Sequence, residues 1–298
     1  VGSSPLPDLD PSWKNLSAEG LKQLKAKIAV EARSRGESPV TAWEKIEKGL
    51  ELNRSLQALT EAGVQATYHA CDVSNRAAVS RLVKKIAAEA PITGVIHGAG
   101  IEAACKYPKK KREVVDRAIG AKADGAANLL AALPAEDLKF FVGFSSTSGR
   151  FGGLGQADYC LANDMLAKIV SYYQDENPSC RALVMDWSAW DDVGMAARPE
   201  SKYALQAMGI KYMPASEGVD HLIDELQAVA TEREVLIVDH PGFITSQHPT
   251  MQEVDKPIAS VQKIKPVELP PEPVYEPFTA GNTTVRNQAT NTPAVSQS

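Results

Sequence analysis

The sequence predicts an α/β protein built on a doubly wound parallel sheet. Three observations lead there. Short strand-like runs alternate with helical stretches of ten or more residues from Thr41 to Val238. One run, Phe140-Phe141-Val142-Gly143-Phe144, is apolar without alternation, as a strand covered on both faces requires. The residues able to do chemistry follow directly after strands, where ligands bind in such sheets.

The elements follow in order. Thr41-Ala42-Trp43-Glu44 fits a capping box, and a helical pattern continues to Gly63, a suitable residue to end it. Residues 64–70 alternate as a strand should, and Ser74 is placed to cap a helix reaching about Ala90. Gly94-Val95-Ile96-His97 is a short apolar strand, and a helix is expected from Arg112 to Leu133. After the 140–144 strand come a helix over 157–173, a strand over 182–185, a helix from Ser216 and a closing strand over 235–238. No internal repeat is visible.

Residues 1–244 form the predicted domain, and 245–298 read as a disordered linker rich in Pro, Thr and Asn. Nine of the 19 prolines lie from Pro241 onward, and such a tail buries too little apolar surface to offset its ordering entropy. With Val1 at the start and a linker running to the last residue, the expectation is a piece of a longer polypeptide.

Composition narrows the function. A hydrophobic fraction of 44% with 23% charged residues is that of a globular protein, and a net charge of -5 argues against nucleic-acid or membrane partners. No apolar run is long enough to cross a bilayer, and no signal-like segment opens the chain. Cys71, Cys105, Cys160 and Cys180 show neither CxxC nor metal-type spacing. They read as core thiols of a cytoplasmic protein with no metal site.

The strand at 140–144 leads into Ser145-Ser146-Thr147-Ser148-Gly149, a glycine-rich loop, and Gln156-Ala157-Asp158-Tyr159-Cys160-Leu161-Ala162-Asn163. Tyr159 and Asn163, one helical turn apart, share a face, and Ser146 stands at the neighbouring strand end. A hydroxyl, a phenol and a carboxamide can therefore converge. A phenol donates a proton to a developing alkoxide when a nearby cation supports its ionised form. Taken singly, Ser146 would read as a loop serine and Tyr159 as a packing aromatic.

The ordered set Phe-Ser-Ser-x-x-Gly, Gly-Gln-Ala-Asp-Tyr-x-x-Ala-Asn, Asp186-Trp187-Ser188-Ala189-Trp190 and Val193-Gly194-Met195-Ala196 resembles the ketoreductase domain of type I polyketide synthases, within the short-chain dehydrogenase superfamily. The likeness covers Val1 to Asp239 and is closest in flavour to iterative polyunsaturated-fatty-acid and enediyne synthases. It implies a Rossmann-like fold and a catalytic set of Tyr159, Ser146, Lys122 and Asn163. Ordinary short-chain dehydrogenases carry lysine four residues after the tyrosine. The family resembled here exchanges the two, taking lysine from the preceding helix, here Gly120-Ala121-Lys122-Ala123-Asp124. By resemblance Tyr159 is the acid, Ser146 polarises the carbonyl, Lys122 lowers the tyrosine pKa and holds the nicotinamide ribose, and Asn163 supports the proton relay.

The same resemblance implies NADPH as cofactor, held by Asp72, Val73, Gly98, Ala99, Gly100, Lys122 and Tyr159. Asp72 also suits a turn or helix cap, and His97 reads as a hydrogen-bonded strand-end histidine. Two departures stand out. No GxGxxG lies between a strand and a helix, so the first strand and phosphate loop are expected upstream of Val1. Ser3 stands where the family has an arginine for the 2′-phosphate, bringing a hydroxyl but no charge. Glu102-Ala103-Ala104 replaces the family's Leu-Asp-Asp signature, and Phe151 replaces a tryptophan, so product configuration is not readable. The implied partners are an acyl carrier protein bearing a β-ketoacyl thioester and neighbouring synthase domains. The basic run Lys106–Arg112 reads either as a docking patch for that carrier or as a solvated loop and helix start. Two alternatives stay open: a non-catalytic ketoreductase-like subdomain and a free-standing short-chain dehydrogenase.

Overall fold

The computed structural model describes residues 1–238 apart from 14, 15, 192, 198, 208, 209 and 229–231, all within a compact unit, Val1–Asp255. The second unit, Lys256–Ser298, and the linker expected over 245–298 lie outside the described residues. The elements are α1 (Ala18–Ser34), α2 (Pro39–Glu61), α3 (Arg76–Ala87), β1 (Gly94–His97), α4 (Arg112–Ile119), a π-helical turn (Gly120–Asp124), α5 (Gly125–Ala132), β2 (Phe140–Ser146), α6 (Thr147–Phe151), α7 (Ala157–Glu176), β3 (Arg181–Trp187), α8 (Pro199–Ala207), α9 (Ala215–Gln227) and β4 (Glu234–Ile237).

The four strands form a parallel sheet in the order β1-β2-β3-β4. Its register sets Gly94 beside Phe140, Phe140 beside Arg181 and Val184 beside Glu234. Successive side chains of β2 and β3 enter opposite cores, as the pleat dictates. Phe141, Ala182 and Val184 pack with Val79 and Val83 of α3, Ala126 of α5 and Leu166 and Val170 of α7. Val142, Leu183 and Met185 face the other way, against Met213 and Leu222 and Leu226 of α9. Both faces are thus covered by helices, which is why the β2 sequence shows no polar alternation.

Three local expectations are corrected. Residues 64–69 form no ladder. Among the described residues only Ala70 finds a partner, a single parallel bridge to Gly2, with Cys71 N–H donating to the Gly2 carbonyl at 2.8 Å. The alternation there marks a surface segment that is mostly exposed. The helix expected from Thr41 starts earlier, at Pro39, because Ser38 accepts from Thr41 N–H at 3.4 Å and proline suits the first turn. Likewise Asn75, not Ser74, caps α3, accepting from Ala78 N–H at 3.0 Å.

Helix α1 is an addition to the expected set. Ser17 caps it, and Gly36, with φ of 70°, allows the turn into α2. The two helices close a small core of their own from Leu9, Leu24, Ile28, Trp43 and Leu50. Helix ends elsewhere differ by a residue or two, as fraying makes usual.

Leu166 is fully buried and touches the space above Gly143 on β2. Leu166→Ala is expected to cost about 2–5 kcal/mol in urea unfolding. Leu161→Ala, on the exposed side of α7, should stay within about 0.5 kcal/mol of wild type.

Candidate active site

The carboxyl end of β2 supplies the first two groups. Phe144 offers its carbonyl and Ser146 ends the strand, where it also caps α6 by accepting from Ser148 N–H at 3.2 Å. That bond uses the Ser146 oxygen as acceptor and leaves its own proton to be donated elsewhere. Gly152 and Gly155, with φ of 78° and 75°, separate α6 from α7 and let the chain reverse so that α7 starts beside the strand end.

On the first turns of α7, Tyr159 is half-buried and Asn163 wholly buried. The side chains of Ser146 and Asn163 both act on the phenol, each favouring its ionised form. Asn163 Nδ2 donates to the Tyr159 carbonyl at 2.7 Å, while its Oδ1 is buried with no partner among the described residues. The helical spacing read from the sequence therefore brings these three side chains together.

Lys122 comes from the π-helical turn between α4 and α5, so the single helix expected over 112–133 is broken at this residue. Lys122 is 3% exposed, its Nζ donates to the Phe144 carbonyl at 2.6 Å, and it lies 6.0 Å from the Tyr159 ring centroid. Burial lowers the ammonium pKa from 10.5 to about 8, opposed by the Asp186 carboxylate. The resemblance implies that Lys122 lowers the tyrosine pKa. The phenol as a whole is raised, because burial outweighs the influence of Ser146 and Asn163, and Glu102 and Cys160 add to the rise. The ammonium is committed to the Phe144 carbonyl, and the phenol rests fully protonated.

The cofactor-side candidates are spread over three loops. Asp72 is exposed and its Oδ1 accepts from Ser74 N–H at 3.0 Å and Ser74 Oγ at 2.7 Å, the turn role that the sequence also allows. Val73 is half-buried, and Asn128 Nδ2 donates to the carbonyls of Val73 and Ser74, each at 3.0 Å. Gly98, Ala99 and Gly100 follow β1. A Cβ at Gly98 would meet open space, whereas one at Gly100 would strike Lys122 Cε at 2.8 Å. Gly100 is therefore required for the lysine to lie where it does.

The family model described as KR domain matches residues 20–192. The chain belongs to the KR domain family. It is 28% identical over 236 residues to a component of the polyunsaturated fatty acid synthase of Thraustochytrium sp., covering 74% of this chain and 8% of that protein. It is 30% identical over 198 residues to polyketide synthase PksM of Bacillus subtilis, covering 65% of this chain and 5% of that protein. The solved ketoreductase PlmKR1, from the first module of phoslactomycin biosynthesis in Streptomyces sp. HK803, aligns with a TM-score of 0.61 at 27% identity, over 69% of this chain and 46% of that one. The chain thus spans less than a tenth of these two synthase proteins and just under half of the solved ketoreductase.

A nicotinamide cofactor is what this KR domain's family implies, and the residues present fit one. The open space beside Gly98 admits a close ligand, Lys122 offers an ammonium, and Asn163 Oδ1 is an unsatisfied acceptor next to the phenol. By contrast, a cavity of about 520 Å³ lined by Gln174, Pro178, Arg181 and Arg233 lies at the amino end of β3, away from these groups. Among the described residues no cluster of His, Cys, Asp and Glu suits a metal ion, and no helix is long and apolar enough to cross a membrane.

Sequence reasoning misses three supports. The π-turn has no periodicity signal that separates it from an α-helix. His97 Nε2 lies 2.9 Å from the Lys122 carbonyl oxygen and so holds that turn; a strand-end hydrogen bond is expected from the sequence, but its partner is not. Asp186, on β3 beside Ser145, is 1% exposed; burial raises its carboxyl, and Arg150 lies 3.8 Å away.

Burial also lowers the His97 pKa to about 4, from 6.5. In that window the unfolded chain binds the proton and the folded chain does not, so stability falls as pH drops from about 6.5 to about 4. His97→Gln is expected to flatten this slope, measured by urea unfolding across the same range.

Proposed function

We propose that this chain carries the catalytic site of an NADPH-dependent ketoreductase. It reduces a β-ketoacyl thioester on an acyl carrier protein to the β-hydroxyacyl thioester, in the cytoplasm, during polyketide or fatty acid chain synthesis. The observation that carries this reading is the buried convergence of Ser146, Tyr159, Asn163 and Lys122 at one strand end. The same convergence weighs against a non-catalytic subdomain, which has no use for a buried ammonium.

A dihydronicotinamide held there would supply the hydride to the carbonyl carbon. Ser146 donates its remaining proton to the carbonyl oxygen and so polarises it. Tyr159 transfers its phenolic proton to that oxygen as negative charge develops. The phenolate left behind is stabilised by Asn163 and by the positive charge of Lys122. Asn163 Oδ1 is suited to accept a bond from the relay that returns a proton to the phenol. Lys122 and Tyr159 would hold the nicotinamide ribose, the backbone at Gly98-Ala99-Gly100 would lie along the cofactor, and Asp72 and Val73 would meet the adenine. Ser3 gives no charge for the 2′-phosphate, so NADPH is preferred on family grounds.

Lys106, Lys109 and Lys111 are exposed around Tyr107, itself 80% exposed. We assign this rim to transient contact with an acidic carrier protein, with neighbouring synthase domains as the wider partners.

In the full-length protein, cofactor oxidation with a β-ketoacyl thioester surrogate should depend on Tyr159. Tyr159→Phe is expected to lower kcat by about 10²–10⁴-fold; an unchanged rate would remove the phenol from the role of acid. NADPH should outperform NADH in the same assay. Raising ionic strength should slow reduction of carrier-bound substrate while sparing the free surrogate.

A further inference from the structure

The segment from Ile101 to Lys111 lies along the loop that begins α7, and three polar contacts stitch the two together. Cys105 N–H donates to the Gly155 carbonyl at 3.0 Å. Gln156 Nε2 donates to Glu102 Oε1 at 3.3 Å. The third contact reverses the surface reading of the basic run. Lys110 turns inward, its Nζ 2.6 Å from Asp158 Oδ1 and 3.0 Å from the Ala103 carbonyl oxygen. The side chains of Lys110 and Asp158 are 4% and 2% exposed.

An ion pair this far from water is held only where partners replace the lost hydration. Here the same Asp158 oxygen also accepts from Tyr159 N–H at 2.9 Å. One ammonium therefore links the carbonyl of Ala103 to the turn that carries the phenol. Gly155 allows the approach: a Cβ there would lie 3.2 Å from Cys105 N and O. Glu102 bonds Gln156, three residues before Tyr159, so the segment forms a wall beside the turn that carries the phenol.

We propose that the Lys110–Asp158 pair is a strap that sets the spacing between the 101–105 wall and Tyr159, and thereby fixes how the ketone substrate presents its carbonyl to the phenol. Lys110 and Asp158 are positioning residues in this reading, which rests on Tyr159 being the acid. The strap acts on the substrate side and leaves the cofactor loops alone.

The test compares Lys110→Met, Lys110→Arg and the double variant Lys110→Met with Asp158→Leu in the full-length protein. Lys110→Met is expected to raise KM for the keto thioester about ten- to hundredfold, to leave KM for NADPH within about twofold, and to change the ratio of alcohol enantiomers. The Cys105 amide should lose protection from hydrogen exchange, and Lys110→Arg should restore all of these. The apolar double variant keeps the packing if the single variant unfolds, and it should recover thermal stability without recovering KM or the enantiomer ratio. Unchanged KM and ratio in Lys110→Met, an equal rise in both KM values, or full recovery in the double variant would each overturn the strap. Absence of reduction by the wild type would instead strike the ketoreductase reading, and exchange at Cys105 would then decide the strap by itself.

Discussion

A lysine with 3% exposure must be held by fixed dipoles, and much of this site follows from holding one. Lowering its pKa from 10.5 to about 8 corresponds to roughly 3 kcal/mol against the charged form. The Phe144 carbonyl, aimed out of β2, supplies the direct bond. The Asp186 carboxylate, next along β3 from the register partner of Phe144, opposes the loss. The backbone that carries the lysine is itself fixed, since the π-turn places its carbonyl against buried His97. Short π segments recur at functional positions because they aim one side chain that a regular helix would turn away. The absent Cβ of Gly100 then leaves the room that the ammonium needs.

The same need for compensation recurs under α6. Arg150 lies on the helix that Ser146 caps and reaches both Asp186 on β3 and Glu234 on β4. Two carboxyl groups beside one guanidinium cannot both ionise without cost, so burial and the proximity of Glu234 raise Asp186. The cluster ties α6, β3 and β4 together beside the strand end that carries Ser146. Sheet and helix caps thus meet in one electrostatic network.

Local periodicity makes most of the sheet and the α7 side of the site legible. The unbroken apolar run at 140–144 is β2, and the i, i+4 pair Tyr159 and Asn163 does share a face, because both signals depend only on neighbours in the chain. What escapes depends on distant partners. Residues 64–69 alternate like a strand, yet a strand exists only where a ladder does, and a single bridge at Ala70 is what forms. Lys110 belongs to a dense basic run and reads as solvated, but its partner is Asp158, and no pattern within the run marks it as the one that turns inward. Lys122 is placed by likeness to a family alone; the turn that aims it is indistinguishable from α-helix in sequence. Helix α1 escapes although its cap and apolar positions are local, since its lysine- and alanine-rich face carries only a weak apolar stripe.

The helical hairpin of α1 and α2 has consequences for how the chain acquires its shape. Its core draws on Leu9 to Leu50, contacts close together along the chain, whereas each step of the sheet joins strands separated by an entire helical crossover. Local contacts form with little loss of loop entropy, and distant parallel pairings form slowly. Contacts this local favour early formation of the hairpin. The reactive end of the sheet requires β1, β2, β3 and the π-turn at once, so its assembly carries the larger loop-closure cost.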